Sequence, residues 1–246
     1  MFSKKNLDVL LLCGGLGKRL QSVVISQPKV MVEINGQPFL EILIKFIHRS
    51  GFRRIILCTG YKGETIKNYF ENKDKDDLEI VYSQEARPLG TGGAIKNAEA
   101  KILSGVFFVL NGDSFVDTDI SNLIAFHQTH KADISMTLVN VRDAKRFGAV
   151  KIDKNSRVVS FEEKNSKSNR CWINAGIYLV SKDILNKIPP NKSVSLENDI
   201  LNSKLSELKI FGMPVSANFI DIGVPKSFIY IKKNYQKFFE GSLFTP

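Results

Sequence analysis

Short apolar runs alternate with amphipathic stretches through the first half of this chain, and that alternation constrains the fold more than any other feature. Two of the runs, VLLLC at 9–13 and VFFVL at 106–110, are apolar at consecutive positions. Strands that are apolar on both faces belong to parallel sheets that helices cover on both sides. The stretch at 38–49 has helical periodicity, with Pro38 at its start and Gly51 behind it. We therefore predict an α/β fold, a doubly wound three-layer sandwich.

The pattern changes in the second half of the chain, after a predicted helix near 119–131. Strand-like runs at 133–141, 149–152, 158–161 and 172–180 follow with only turn-like segments between them, which favours antiparallel pairing. A predicted helix at 195–205, a pair of strands around Ile210 and Phe219, and a terminal helix complete the chain. We expect one domain with a β-rich second half.

Composition narrows the classes of function. The 35 Lys and Arg exceed the 25 Asp and Glu and give a net charge of +10, which indicates an anionic partner. These cations are spread along the chain rather than gathered in one stripe, which speaks against nucleic acid as that partner. No apolar run approaches the roughly 20 residues of a membrane helix, and the three cysteines form no CxxC pair. We expect a cytoplasmic protein without a signal peptide or a membrane partner.

A glycine cluster, Gly14, Gly15 and Gly17, directly follows the first apolar run. Open α/β sheets bind ligands at the carboxyl ends of their strands, and glycines let backbone N–H groups approach phosphate oxygens. Arg19 and Lys29 supply charge that a triphosphate needs. The segment fits neither a Walker A loop nor GxGxxG, so these residues alone leave a tight turn as the alternative to a nucleotide loop.

A second glycine-rich segment, QEARPLGTGGA at 84–94, follows another predicted strand and opens a helix. Leu89 and Gly90 are placed to lie against a flat base, whose edge would be read by backbone groups or by Gln84. The alternative is a flexible loop.

Two carboxylates come at the ends of apolar strands, Asp113 in LNGD and Asp221 in FIDIG. A carboxylate in such a place is costly unless a cation or hydrogen bonds meet it. Together with triphosphate oxygens, two aspartates suit Mg²⁺, which prefers few protein carboxylates. Taken singly, each aspartate is more often a helix cap or part of a turn.

The run CGGLGKRLQSVVISQPKVM at 13–31 resembles the signature of sugar-1-phosphate nucleotidyltransferases. The resemblance continues through PLGTGGA (88–94), NGD (111–113), FGAV (147–150), FEEK (161–164), NAGIY (174–178) and FIDIGVP (219–225), and so covers nearly the whole chain. Within that family, NGQPFLE (35–41), SLEND (195–199) and FIDIGVP resemble the D-glycero-α-D-manno-heptose 1-phosphate guanylyltransferases. Val30 departs from the family, which commonly has a second Pro there, and Lys18 stands where relatives often have a small polar residue.

The resemblance implies a Rossmann-like three-layer αβα sandwich with a mixed, mostly parallel central sheet and a β-rich, sugar-binding second half. It implies a single domain with a nucleotide-binding part at about 1–118, a sugar-binding part at about 119–223 and a C-terminal helix at about 224–240. The implied reaction transfers a nucleotidyl group from an NTP to a sugar 1-phosphate, with Mg²⁺ as cofactor and pyrophosphate released. GTP and the heptose 1-phosphate are the implied substrates.

Residues at the family's motif positions take implied roles. The implied nucleotide-binding residues are Leu12, Gly14, Gly15, Gly17, Gln84, Leu89 and Gly90. The implied catalytic residues are Arg19, Lys29 and Asp113, and the implied metal ligands are Asp113 and Asp221. The implied sugar-phosphate-binding residues are Gly148, Glu163, Lys164, Asn174 and Gly176.

Alternatives stay open at this point. The sugar phosphate could be that of mannose, glucose or N-acetylmuramate, with another NTP, or the chain could be a regulatory subunit that binds nucleotide sugar without catalysis. Trp172, Ile173 and Ile177 predict either a homodimer interface or core packing.

Overall fold

The computed structural model describes residues 3–15, 27–73, 77–141, 147–162 and 171–239. Its strands are β1 Asp8–Leu12, β2 Glu33–Ile34, β3 Gln37–Pro38, β4 Arg54–Thr59, β5 Glu79–Gln84, β6 Val106–Asn111, β7 Ser114–Val116, β8 Ile134–Val141, β9 Ala149–Ile152, β10 Val158–Glu162, β11 Cys171–Ser181, β12 Ile210–Val215 and β13 Phe219–Asp221. Its α-helices are α1 Phe39–Arg49, α2 Gly63–Glu71, α3 Gly90–Asn97, α4 Asn122–His130, α5 Pro225–Lys233 and α6 Tyr235–Phe239.

A seven-stranded sheet forms the centre of the molecule, in the order β12-β8-β11-β6-β1-β4-β5. β1 pairs in parallel with β4 and β6, β4 with β5, and β8 with β12, whereas β11 runs antiparallel to both β6 and β8. The mixed, mostly parallel sheet is confirmed. The order of strands reverses between β1 and β6, and open α/β sheets bind ligands at such a reversal.

The consecutive apolar residues of the central strands supply two hydrophobic cores, one on each face of the sheet. In β1, Leu11 belongs to one core and Leu10 to the other, and in β6 Phe108 and Phe107 divide in the same way. Each of these side chains is fully buried, and such burial stabilises the fold by about 1.5–3 kcal/mol per side chain. Both cores need helical cover, which explains the three layers.

Helix α1 shows how one polar residue is accommodated against the core. Glu41 lies on its buried side and accepts hydrogen bonds from Tyr69 (2.5 Å) and Lys73 (2.9 Å), and it forms an ion pair with Lys45 (3.0 Å). Burial alone would raise the pKa of Glu41, but these donors lower it to about 2. The helix therefore buries a carboxylate that stays charged and fully bonded.

The second half of the chain departs from prediction in two places. The strands around Ile210 and Phe219 do not pair with each other: β12 pairs in parallel with β8, and β13 pairs antiparallel with β7. A short link between two apolar runs predicts a hairpin. Here each of the two strands pairs instead with an apolar strand that is distant in sequence. The predicted helix at 195–205 is instead a π-helical segment, Leu196–Asn202.

The burial of the apolar residues of β11 distinguishes core packing from a dimer interface. Ile173 and Ile177 are buried in the core on one face of the sheet, and Trp172 is half-buried against the other core. Core packing accounts for all three. Within the described ranges, no helix combines the length and the hydropathy needed to cross a membrane.

Candidate active site

A cavity of about 260 Å³ opens where the sheet order reverses, at the carboxyl ends of the parallel strands. It is lined by segments that follow β1, β5 and β6 and by the first turns of α3. Six residues predicted for the site line it: Leu12, Gly14, Gly15, Lys29, Gly90 and Asp113. Gly17, Arg19, Glu163 and Lys164 lie outside the described residues.

The segment after β1 passes very close to the carboxylate of Glu85. A Cβ on Gly14 would lie 2.8 Å from Glu85 Oε1, so only glycine lets that carboxylate come so near. Gly15 has open space around its Cα. The backbone of Gly15 is therefore accessible from the cavity.

The first turn of α3 is hydrogen-bonded to the backbone of Val194. Gly90 has φ of +71°, and a Cβ there would lie 2.6 Å from the Val194 carbonyl oxygen. The N–H groups of Gly92 and Gly93 donate to that same oxygen, at 2.9 and 3.1 Å. Two N–H groups in the first turn of this helix therefore bond within the protein, and the glycines allow a close backbone contact.

Two of the residues predicted to face a base do not line the cavity. Gln84 is exposed at the end of β5, and Leu89 is buried. Glu85, between them, does line it and accepts a hydrogen bond from the Leu89 N–H at 3.1 Å. Burial raises the pKa of Glu85, partly offset by that N–H. Sequence reasoning missed Glu85, although it follows a parallel strand just as Asp113 does.

The antiparallel pairing of β7 and β13 brings the two predicted metal ligands, Asp113 and Asp221, close together. β13 places Asp221 opposite Ser114, and the Ile222 N–H donates to the Asp113 carbonyl at 2.9 Å. Lys29 forms an ion pair with Asp113 Oδ2. A Cβ on Gly223 would lie 2.6 Å from Asp221 Oδ1 and 2.9 Å from Lys29 Nζ. Asp113, Asp221 and Lys29 thus form one charged cluster beside the cavity.

This cluster fits a divalent cation that keeps most of its other ligands from substrate and water. Its donors are two hard carboxylates, and the ammonium of Lys29 already neutralises one of them. Across the described ranges, no group of three or more His, Cys, Asp and Glu could hold a metal ion. A cation here would take phosphate oxygens as further ligands, as Mg²⁺ commonly does.

Two of the five residues predicted to bind the sugar phosphate, Asn174 and Gly176, lie on an irregular part of β11. Its register against β8 shifts between Asn174 and Tyr178, and Gly176 within this bulge has φ of +77°. A Cβ on Gly176 would lie 2.5 Å from Asn111 Nδ2, and Asn111 lines the cavity. The bulge therefore brings Gly176 against the nucleotide side of the site.

Gly148 lies one residue before β9, also with a positive φ of +78°. It is not among the residues that line the cavity. The ring of its neighbour Phe147 packs edge-on against Phe219 of β13 at 5.3 Å. That contact connects the 147–148 segment to the strand that carries Asp221.

Cys13 lines the cavity but is not a candidate nucleophile. Burial, followed by the nearby Cys58 and Asp113, raises the pKa of this thiol well above its ordinary value. The thiolate is the reactive form of cysteine. Cys13 therefore remains a neutral thiol.

Comparison with known proteins shows the family to which the chain belongs. The nucleotidyl transferase family matches residues 8–237 of the chain. The D-glycero-α-D-manno-heptose 1-phosphate guanylyltransferase of Campylobacter jejuni is 39% identical over 93% of this chain and 100% of its own length, and that of Aneurinibacillus thermoaerophilus is 37% identical over 94% and 100%. The crystal structure of HddC from Yersinia pseudotuberculosis complexed with GMP-PN superposes with a TM-score of 0.82 at 35% identity, covering 93% of this chain and 99% of that one.

Proposed function

The chain belongs to the nucleotidyl transferase family, and we propose that it transfers the guanylyl group of GTP to D-glycero-α-D-manno-heptose 1-phosphate, giving GDP-heptose and pyrophosphate. The cluster of Lys29, Asp113 and Asp221 beside the cavity is the observation that carries the chemistry. The two curated relatives that match over their full length support the choice of substrates.

The reaction needs no general base. An oxygen of the sugar phosphate, already anionic, attacks the α-phosphorus of GTP and forms a new P–O bond. The bond from that phosphorus to the bridging oxygen breaks, and pyrophosphate leaves with the electron pair. The protein's tasks are to align the two anions and to neutralise their charge.

Lys29 is proposed to neutralise triphosphate charge; its ion pair with Asp113 at the wall of the cavity supports this role. Arg19, outside the described residues, is proposed to contact the same triphosphate. The open backbone at Gly15 is proposed to contact phosphate oxygens. Asp113 and Asp221 would hold Mg²⁺, which when bound withdraws charge from phosphate oxygens.

Sugar binding is proposed for the β-rich half of the chain. Gly176 lies against Asn111, which lines the cavity; Asn174 is bonded to the Gly176 N–H, and Gly148 lies beside β9. Glu163 and Lys164, which are outside the described residues, complete the proposed set. The nucleotide-binding part at about 1–118 and the sugar-binding part at about 119–223 would then meet at β6 and β11.

Glu85 supports guanine as the base. The Watson–Crick edge of guanine offers two adjacent donors, N1–H and the N2 amino group, and a carboxylate accepts from both. Uracil offers one N–H between two carbonyl oxygens, which a carboxylate repels. Glu85 lines the cavity, with Oε2 bonded to the Leu89 N–H.

The enzyme acts in the cytoplasm, where the thiols of Cys13, Cys58 and Cys171 stay reduced. Its partners are an NTP and a sugar 1-phosphate, without nucleic acid or membrane. Any homodimer would use surfaces other than Ile173 and Ile177, because both are buried inside the protomer.

The deciding experiment measures pyrophosphate release with Mg²⁺ for GTP, UTP, CTP, ATP and dTTP. Each nucleotide is combined with the 1-phosphates of the heptose, mannose, glucose and N-acetylmuramate. We expect turnover for GTP with the heptose phosphate. A different productive pair would keep the reaction and overturn the substrates.

A matrix without turnover would favour the binding-only regulatory subunit, which isothermal titration with Mg²⁺–GTP would then detect. Chelation by EDTA, followed by return of Mg²⁺ or Mn²⁺, tests the metal. Unchanged turnover in EDTA would overturn the role of Asp113 and Asp221 as metal ligands.

A further inference from the structure

The motif SLEND at 195–199 contributes no residue to the proposed catalytic, nucleotide-binding or sugar-binding sets. Its residues begin the π-helical segment Leu196–Asn202, which packs beside α3. Glu197 is half-buried there and points into the interior of the molecule, where it contacts residues of both α3 and β11. The hydrogen-bond partners of the Glu197 carboxylate indicate what this residue does.

Glu197 accepts hydrogen bonds from both sides of the site. Its Oε2 accepts from the Thr91 hydroxyl at 2.8 Å and from the Ser195 hydroxyl at 3.2 Å. Its Oε1 accepts from the Tyr178 hydroxyl at 3.3 Å. Thr91 lines the cavity on the nucleotide side, while Tyr178 belongs to the strand that carries the proposed sugar-binding residues.

The network continues from Tyr178 to Asn174. The Tyr178 hydroxyl accepts from Asn174 Nδ2 at 2.6 Å, and Asn174 Oδ1 accepts from the Gly176 N–H at 3.0 Å. Both ends of the Asn174 amide are therefore used, and its orientation is determined. The Asn174 amide carries a second N–H besides the one bonded to Tyr178, and the proposed contact with the sugar phosphate would use it.

The Glu197 carboxylate accepts from both Thr91 and Tyr178, so both hydroxyl groups must donate to it. Thr91 accepts from the Leu196 N–H at 2.8 Å and so must donate its own proton to Glu197. Burial and the nearby Glu197 raise the pKa of Tyr178 well above its ordinary value, so its hydroxyl stays protonated and donates. A glutamine at 197 would place an amide donor against one of these two hydroxyl donors.

We infer that Glu197 is a positioning residue that orients Asn174 toward the sugar phosphate through Tyr178 and joins this group to the nucleotide side through Thr91. The inference rests on the proposed function, because it assigns Asn174 to the sugar phosphate. It gives the SLEND motif a task at the active site although none of its residues lines the cavity.

The test separates the two branches of the network kinetically. Tyr178→Phe removes the link to Asn174, and we expect the KM for the sugar 1-phosphate to rise about tenfold with the KM for the nucleotide unchanged. Thr91→Val removes the other link, and we expect the nucleotide KM to rise instead. Glu197→Gln should raise both KM values, whereas Glu197→Asp should restore part of the loss.

Asp199→Asn is the matched control. Asp199 lies in the same segment and accepts the Ser195 N–H at 2.8 Å, but it has no bond to Tyr178 or Thr91. This variant should keep both KM values and change only the melting temperature. The inference is overturned if Glu197→Gln lowers the melting temperature as Asp199→Asn does and leaves both KM values at wild-type levels.

The assay uses whichever substrate pair the wild-type chain turns over, so the two levels of proposal fail differently. An active wild type with a kinetically unaffected Glu197→Gln variant overturns the positioning role alone. A wild type that turns over no pair overturns the proposed function and this inference with it.

Discussion

Asp113 and Asp8 are both carboxylates at the ends of central strands, yet their hydrogen bonds give them opposite tasks. Asp8 is buried and accepts from Arg54, from the N–H groups of Leu103 and Ser104, and from the Ser104 hydroxyl. Asp113 meets Lys29 and the Ser114 hydroxyl, and its side chain is 31% exposed at the cavity. Saturated partners indicate a structural residue, whereas open acceptor capacity beside a cavity indicates a binding residue.

We predict that Asp113→Asn lowers kcat by about 10²–10³-fold, the typical loss for one electrostatic contact to a transition state. Single-turnover rates with saturating GTP and sugar phosphate measure the effect. Asp8→Asn is the comparison: it should reduce the free energy of unfolding by about 3 kcal/mol, because it removes one partner of a buried ion pair. Near-wild-type turnover by Asp113→Asn would contradict the role of Asp113.

Glu85 leads to a prediction about base selection. ITP differs from GTP only in lacking the N2 amino group, so a carboxylate that accepts from this group should favour GTP by about tenfold in kcat/KM. In Glu85→Gln the preference should shrink toward unity. An equal GTP-to-ITP ratio in wild type and variant would show that another group reads the base.

Among the elements, α3 is joined to its neighbour through a glycine-rich first turn. The single carbonyl of Val194 accepts from the N–H groups of Gly92 and Gly93, and Gly90 approaches it closely with a positive φ. The segment that carries Glu197 begins two residues after Val194. The glycines therefore hold α3, with Thr91, against the π-helical segment.

We predict that Gly90→Ala reduces the free energy of unfolding by about 1–3 kcal/mol, because alanine is strained at φ of +71° and its Cβ would meet the Val194 oxygen at 2.6 Å. Urea unfolding measures the change. Gly105→Ala is the control, since a Cβ there has nothing within 4 Å. Equal stability of the two variants would mean that the α3 turn adapts without cost.

Over the whole molecule, sequence patterning anticipates the elements better than their partners. Strands such as β1 and β6 could be predicted almost to the residue because both of their faces are apolar. The site was anticipated in part, since Asp113 and Gly90 come after parallel strands whose carboxyl ends meet at one edge, and Lys29 lies in the connection between β1 and β2. The pairing of β7 with β13 could not be predicted, because short strands of three residues carry little register information. Glu85 was missed because the polar side chain of Gln84, at the end of the same strand, was assigned to the base edge instead.

The molecule should also lose stability below neutral pH through a buried histidine. His127 is buried and contacts Ser135 at 3.0 Å. Burial lowers its pKa to about 4, although Asp133 acts in the opposite direction. The unfolded chain takes up the proton first, near pH 6.5, so the contribution of neutral His127 is present above that pH and is lost as the pH falls toward 4.

We predict a loss on the order of 3 kcal/mol between pH 6.5 and 4. Urea unfolding at half-unit steps of pH measures it. His127→Gln should flatten the profile in this window whatever its absolute stability. His48→Gln, at a partly exposed position bonded to Asp77, should leave the slope unchanged. A slope shared by wild type and His127→Gln would assign the effect to other groups.

The pairing of β7 with β13 joins residues 114–116 to residues 219–221. A ribosome releases Asp113 together with the glycine segment and Lys29 roughly a hundred residues before it releases Asp221, and chains fold in the order of their synthesis. For roughly a hundred residues of its synthesis, the nascent chain therefore carries Asp113 without Asp221. The cluster of Lys29, Asp113 and Asp221 is completed only after residue 221 has been synthesised, so we expect no nucleotidyl transfer from a shorter nascent chain.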